Sequence, residues 1–449
     1  MAETALDGAP AAREEFGGAY RGYALGLLLS IYVLNCLDRQ VINILAEPIK
    51  RDLGLADWQV GIMSGVSFAL IYTLLAVPIA RQAEHRHRPM IIAAALAVWC
   101  GFTALCGVAR TYVQLCLCRF GVGVGEAGCT PPALSLITDY FPKERRATAL
   151  GIYAVGAPLG VLTGMGFGGL IADAYGWRMA FLIAGAPGLI LAGLVVTTLK
   201  EARPAIAARL AAAQAALRPT VRDTVALLAS KQTFWMLALA AGFKMVFTDG
   251  QAPFLASFFL RSHPHEVAAL AAGFHLRPVG FLGMSLGLIN GVMGVISGWI
   301  GGVIADRAAS RDVRYVVVAP AVAMLVATPA YIAALYVDSV PLAFGFLVAQ
   351  CATNVFWAGP VYSSVHGVAP PSMRATATAV LIFVINMLGT GVGPLMIGSL
   401  SDVFSGLLGQ GAASGLRSAL VVASVISLGG VYFYWRASRS IIADMEPVA

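Results

Sequence analysis

Four ionisable residues stand inside long apolar runs: Asp38 and Arg39 within 22–48, and Arg119 and Glu126 within 112–140. A charge at the centre of a bilayer costs ~2.5–3.5 kcal/mol on insertion scales, so such groups pair, bind a solute or carry a proton. At 1.5 Å per helical residue, Asp38 lies about 15 Å and Arg119 about 12 Å from the same end of their helices, which permits an Asp38–Arg119 pair. Glu126 follows Arg119 by seven residues, two helical turns along the same face and nearer the midplane. Arg39 points about 100° away from Asp38 around the helix, toward Glu126 or an anionic solute. Of the six histidines, five read as loop residues and His366 sits near the end of a run, so a central proton carrier must be a carboxylate. Desolvation favours the neutral acid and a neighbouring guanidinium the charged form, so water reaching Glu126 first from one side and then the other would load and unload a proton. Asp38, Arg119 and Glu126 are the expected proton-coupling residues. The alternative is a permanent ion-pair network holding two helices together.

Lys244 lies about 18 Å into its run at helical rise and suits an anionic head group, or a structural pair with Asp249. Asn354, Trp357, Tyr153, Phe243 and Phe247 suit either the wall of a substrate cavity or ordinary packing. Thr130-Pro131-Pro132 should bend the helix just past Glu126. No metal or cofactor is expected. His263-x-His265 reads as solvated loop, and Cys116-x-Cys118 as inert buried thiols. Neither a nucleophile motif nor a Walker-type phosphate loop is present, which argues against an enzyme and against ATP-driven transport.

The elements that must position these groups follow from composition. Hydrophobic residues make up 59% and charged residues 12% of the 449-residue chain, and mean hydropathy is +0.79. Soluble domains run near 45–50% and ~25%, so this chain belongs in a bilayer. Its net charge of +7 reflects Lys and Arg in short loops rather than a nucleic-acid surface. Apolar runs long enough to span predict about twelve helices: 22–48, 58–80, 89–109, 112–140, 146–172, 178–199, 232–260, 283–305, 314–336, 341–367, 374–401 and 414–435. They give an all-α membrane fold of two six-helix bundles, 22–199 and 232–436, between a tail at 1–21 and another at 437–449. The segment 200–231 reads as an amphipathic linker along the membrane surface. Residues 1–19 lack a signal-peptide pattern. Of the 30 Lys and Arg, 20 fall on one side and seven on the other, which places both termini in the cytoplasm. An inner-membrane location is expected.

The halves repeat. Pro142-x-x-x-Arg146-Ala-Thr-Ala recurs as Pro370-x-x-x-Arg374-Ala-Thr-Ala, Asp38-x-Gln40 as Asp249-x-Gln251, and Gly169-x-x-x-Asp173 as Gly398-x-x-x-Asp402. Glycines spaced by four (Gly61/Gly65, Gly156/Gly160/Gly164/Gly168, Gly283/Gly287/Gly291, Gly389/Gly393) recur at every third span, where helices can approach or slide closely.

These features resemble the major facilitator superfamily over nearly the whole chain. Gly302-Val-Ile-Ala-Asp306-Arg307 matches its loop signature, and Ala80–Arg88 is a second copy with Glu84 where the family has Asp. The resemblance implies gating loops around Glu84, Arg88, Asp306, Arg307, Arg146 and Arg374. Within the family, Asn35-Cys-Leu-Asp38-Arg39 and Arg119-Phe-Gly-Val-Gly-Val-Gly-Glu126-Ala127 resemble the Spinster-like lipid transporters. That implies proton-coupled movement of a lysophospholipid or sphingosine-phosphate-like lipid by alternating access in a functional monomer, with Asn35, Arg39 and Lys244 near the substrate. A sugar-acid symporter group shares much of this vocabulary, so a small organic anion is the alternative substrate. A non-transporting scaffold would need neither repeated loop signatures nor buried acid–base groups.

Overall fold

The computed structural model describes residues 17–202 and 221–445. Twelve spans follow the expected runs. They are α1 (Gly18–Leu53), α2 (57–85), α3 (Arg88–Cys106), α4 (Tyr112–Glu126 and Thr130–Tyr140), α5 (Glu144–Tyr175) and α6 (Trp177–Thr198), then α7 (Gln232–Ser262), α8 (Pro278–Ala309), α9 (Val313–Tyr336), α10 (Val340–Cys351 and Ala358–Val368), α11 (Arg374–Leu407) and α12 (Gly411–Asp444). Helices suit such apolar sequence because each satisfies its own backbone where no water can. Nine spans qualify by length and hydropathy as unbroken helices, and α7 is a tenth when taken with the short helix before it. The other two, α4 and α10, are each interrupted mid-span.

Thr130-Pro131-Pro132 accounts for the first interruption, because proline withholds an N–H and its ring crowds the preceding turn. The second, over 352–357, contains Asn354 and was not anticipated from the 341–367 run. Two further irregularities face each other. π-helical turns at Ile62–Val66 in α2 and Met387–Val392 in α11 meet where Gly65 abuts the Thr390 carbonyl, with no room for a Cβ. Most of the expected linker, 203–220, lies outside the described residues, as do most of the N-terminal tail and the last four residues of the C-terminal one. Val221–Ser230 is helical and bends 94° from α7.

Burial shows how the halves meet. One core cluster runs from Val41, Ile44 and Leu45 of α1 through Phe254, Phe258 and Phe259 of α7 to Leu286 and Leu416, so both halves share it. It occupies the end remote from the termini, here the far end. Near the termini each half keeps its own core, one around Trp99, Ile137 and Tyr140, the other around Phe234, Leu381 and Tyr434. The halves are thus fused at one end and separate at the other.

The repeats have structural counterparts. Arg146 Nε donates to the Phe141 carbonyl at 3.1 Å, and Arg374 Nε to the Ala369 carbonyl at 3.3 Å, each closing the end of the preceding helix. The glycines divide their work. Gly160 and Gly164 let α5 lie against α1 within one half, and Gly389 and Gly393 fit α11 onto α7. Gly61 and Gly65 of α2 and Gly283, Gly287 and Gly291 of α8 carry the close contacts between halves.

Candidate functional site

In the first half, α1, α3 and α4 bring a polar cluster into an apolar bundle. Asp38 accepts from Thr103 Oγ1 at 2.6 Å and from Arg119 Nη1 at 3.1 Å. Arg39 Nε donates to Glu126 Oε2 at 2.7 Å. Helical spacing produces this crossing: residues 38 and 39 diverge around α1, so one addresses the outer part of α4 and the other its interruption. The aromatic pair Phe68 and Tyr72 of α2 (5.2 Å between ring centroids) stacks beneath, with Arg39 4.6 Å from Tyr72 and Arg119 5.3 Å from Phe68. Facing the arginines with π-clouds rather than alkyl groups offsets part of their desolvation. Asp38, Arg119 and Glu126 are almost fully buried, whereas the Arg39 side chain keeps 34% exposure. Three buried polar atoms here have no hydrogen-bond partner among the described residues: Glu126 Oε1, Arg119 Nε and Asn35 Nδ2. A lone carboxylate oxygen in an apolar pocket is costly when charged.

The second half repeats the layout with different chemistry. Twenty residues before Arg146 stands Glu126; twenty before Arg374 stands Asn354. Each lies at the interruption of its span, and each receives a cation from the first helix of its half. Lys244 Nζ, buried in α7, donates to Asn354 Oδ1 and Thr248 Oγ1, both at 2.9 Å. The Lys244–Asp249 pair does not form. Asp249 instead accepts from Thr390 Oγ1 at 2.6 Å, because its side chain turns toward α11. Lys244 is thus a buried cation with neutral partners.

Between the halves lies a cavity of about 500 Å³ lined by Gln40, Thr248, Asp249, Gln251, Asn290 and Asn354 among Ala, Val, Pro and Gly. Its wall follows α5 from Met165 to Gly151 and α8 from Asn290 to Trp299, toward the end where the halves separate. There α8 loses close contact with α5: Gly291 still touches Pro158, but a Cβ on Gly294 would meet nothing. Of the residues expected to line a cavity, Asn354 does. Phe247 packs edge-on to Tyr331 of α9, and Phe243 packs on Phe433 of α12, because their face of α7 is turned into the second half's own packing. Tyr153 stacks on Tyr32 at 4.6 Å, and Trp357 packs near Tyr362. Asn35, Arg39 and Lys244 are not among the lining residues, although Lys244 bonds Asn354 of the wall and the Arg39 side chain stays partly exposed. Gln40 and Gln251, the matching members of the Asp-x-Gln repeat, do line it, so the repeat held that information.

Charged contacts between halves concentrate at the far end. Arg261, 7% exposed, bridges Glu47 (2.7 and 2.9 Å) and Asp57 (2.8 and 2.8 Å). The aspartates of the Gly-x-x-x-Asp repeat act reciprocally. Asp173 at the end of α5 accepts from the Gly280 N–H of α8 at 2.5 Å, and Asp402 of α11 accepts from the Asp57 and Trp58 N–H groups of α2 at 3.1 and 2.8 Å. Each carboxylate caps the start of a helix in the opposite half, where unpaired N–H groups and the helix dipole favour negative charge. Sequence reasoning missed this contact because it ended the seventh helix at 260, one residue before Arg261, and gave Glu47, inside the first, no partner. Both helices continue past them, α1 to Leu53 and α7 to Ser262.

The expected gating residues cluster at the opposite end. Arg88 is buried and bonds Asp139 (2.6 Å) and Ser135 within the first half and Glu201 just after it, none of them in the second half. Arg307 is exposed, and the side chains of Glu84 and Asp306 lie outside the described residues. Among the described residues no salt bridge joins the halves at this end.

A family model for the Major Facilitator Superfamily matches residues 28–394. The chain belongs to this superfamily. It is a multi-pass membrane transporter with Spinster-like features. It is similar in structure to a bacterial homolog of the human lysosomal transporter Spinster in an inward-facing and occupied conformation, with a TM-score of 0.81, 30% identity, and coverage of 97% of this chain and 100% of that one. An MFS-type efflux pump of Mycolicibacterium smegmatis is 32% identical, covering 94% of each chain. Protein spinster homolog 3 of Danio rerio is 26% identical over 85% of this chain and 77% of its own.

Proposed function

We propose that the protein is a proton-coupled secondary transporter of an anionic amphipathic lipid, such as a lysophospholipid, working by alternating access in a cytoplasmic membrane with both termini inside. In this reading the structure faces the cytoplasm: the far end is the sealed outer gate and the cavity is the inward-open substrate path. The observation that carries the proposal is the Arg39–Glu126 pair at the interruption of α4, with one carboxylate oxygen buried and unpartnered. Protonation of Glu126 removes its hold on Arg39, whose side chain is one-third exposed and whose guanidinium then becomes a site for an anionic head group. Deprotonation reforms the pair and expels the anion. Asp38, Arg119 and Thr103 hold α1, α3 and α4 in register while this happens.

The apolar slot between α5 and α8, edged by exposed Val155, Val295 and Trp299, favours a substrate with a tail. Four amides, Gln40, Gln251, Asn290 and Asn354, converge on the same cavity and favour the second reading, a small organic anion such as a sugar acid. The test is proton flux into proteoliposomes on adding lysophospholipid, comparing wild type with Glu126→Gln at equal reconstitution. Flux in wild type and none in the variant supports the proposal. Flux with sugar acids alone transfers it to the second reading, and equal flux in both proteins removes Glu126 from the mechanism.

A further inference from the structure

Apart from the central path, a second hollow of about 660 Å³ runs between α2, α3 and α4 near the termini. It exists because small residues line the crossing: Gly125 abuts the backbone of Trp99, Gly128 abuts Ala95, and α4 is interrupted at 127–129. Its walls are apolar and outward-facing, with Met90 52%, Val98 38% and Val124 41% exposed. Gln82, Arg86 and His87 stand together at its mouth. The contrast between neighbours is informative. Arg88 is buried among two carboxylates and a serine, whereas the exposed side chains of Arg86 and His87 make no hydrogen bond or ion pair with any described residue.

We propose that this groove binds an anionic phospholipid, its phosphate at Arg86 and His87 and one acyl chain along Ile91, Ala94, Val98 and Val124. The arrangement has the polarity of such a molecule, cationic at the membrane boundary and apolar toward the bilayer interior. Basic pockets between membrane helices select anionic head groups in this way. The volume falls within the range of ordinary ligand pockets. The proposal is independent of the transported substrate, because the groove lies on the far side of α4 from the central cavity.

The test is native mass spectrometry of the purified full chain with equimolar phosphatidylglycerol and phosphatidylcholine of identical acyl chains. Wild type should retain the anionic lipid in preference. Arg86→Ala/His87→Ala should weaken that retention about fivefold, the equivalent of ~1 kcal/mol for one surface cation. Ala94→Trp, which fills the groove from an exposed position, should reduce retention of both lipids while leaving thermal unfolding unchanged. Glycerol phosphate should not compete. Equal retention of the two lipids by wild type, unchanged retention in either variant, or displacement by glycerol phosphate would overturn the proposal.

Discussion

Arg261→Met isolates the contact that joins the halves at the far end. The guanidinium makes four short bonds to Glu47 and Asp57 across the interface and is 7% exposed. Breaking a buried ion pair from one side costs ~3–5 kcal/mol. The lower end applies here, because Lys50 still reaches Asp57 at 2.5 Å and Arg51 still reaches Glu47 at 3.0 Å. The whole cost falls on the closed far end, since the contact cannot survive separation of the halves. A loss of ~3 kcal/mol moves the closed-to-open ratio by about two orders of magnitude. Spin labels at Arg110 and Phe274, one on each half and both exposed, read the change as a distance distribution on a background without native cysteines. Wild type should give a single short distance, and Arg261→Met a second, longer population. Arg261→Met/Asp402→Asn, which also weakens the cap on α2, should enlarge it. Identical distributions in all three proteins would refute the assignment of this cluster as the seal.

Three other outcomes follow. Thr103→Val leaves Asp38 with Arg119 alone and should destabilise the protein by about 1–3 kcal/mol, read as a lower unfolding temperature in detergent; an unchanged midpoint would show that Thr103 contributes nothing. Lys244→Met should raise the KM of an anionic substrate roughly 10- to 100-fold, the loss of one charge-assisted bond, without affecting an uncharged analogue, and equal effects on both would count against an anion site there. Gly283→Leu places a side chain against the Met165 carbonyl and should lengthen the same spin-label distance, so a short distance in that variant would mean that α5 and α8 need not touch for closure.

The spans were legible because twenty apolar residues have few other fates; depth permitted the Asp38–Arg119 contact, and helical angle left Arg39 the choice of Glu126 or an anionic solute, of which the structure shows Glu126. What stayed hidden depended on which face of a helix meets which neighbour. Phe243 and Phe247 look like cavity aromatics in the sequence, but α7 turns them into packing with α12 and α9. The interruption of α10 carries no Pro-Pro marker like that of α4, so only the chain path exposes it. Arg261 was counted as a loop charge, because no local pattern says that its helix runs on to meet Glu47. Gln40 and Gln251 could have been found, since each belongs to a repeated motif whose aspartate drew the attention.

Comparing the two halves also dates their features. Traits present in both copies, by parsimony, precede the duplication: the interrupted fourth helix, the arginine that closes its end, and the aspartate that caps a helix across the interface. Traits found in one copy mark where the halves have diverged. Arg119 and Glu126 have Leu347 and Asn354 at the same counts, 27 and 20 residues, before Arg146 and Arg374. The ancestral half-length chain, paired with itself, would already have had its hinges and latches. At this position one half carries a carboxylate and the other a neutral amide. The two halves keep the same joints and differ in the chemistry they carry.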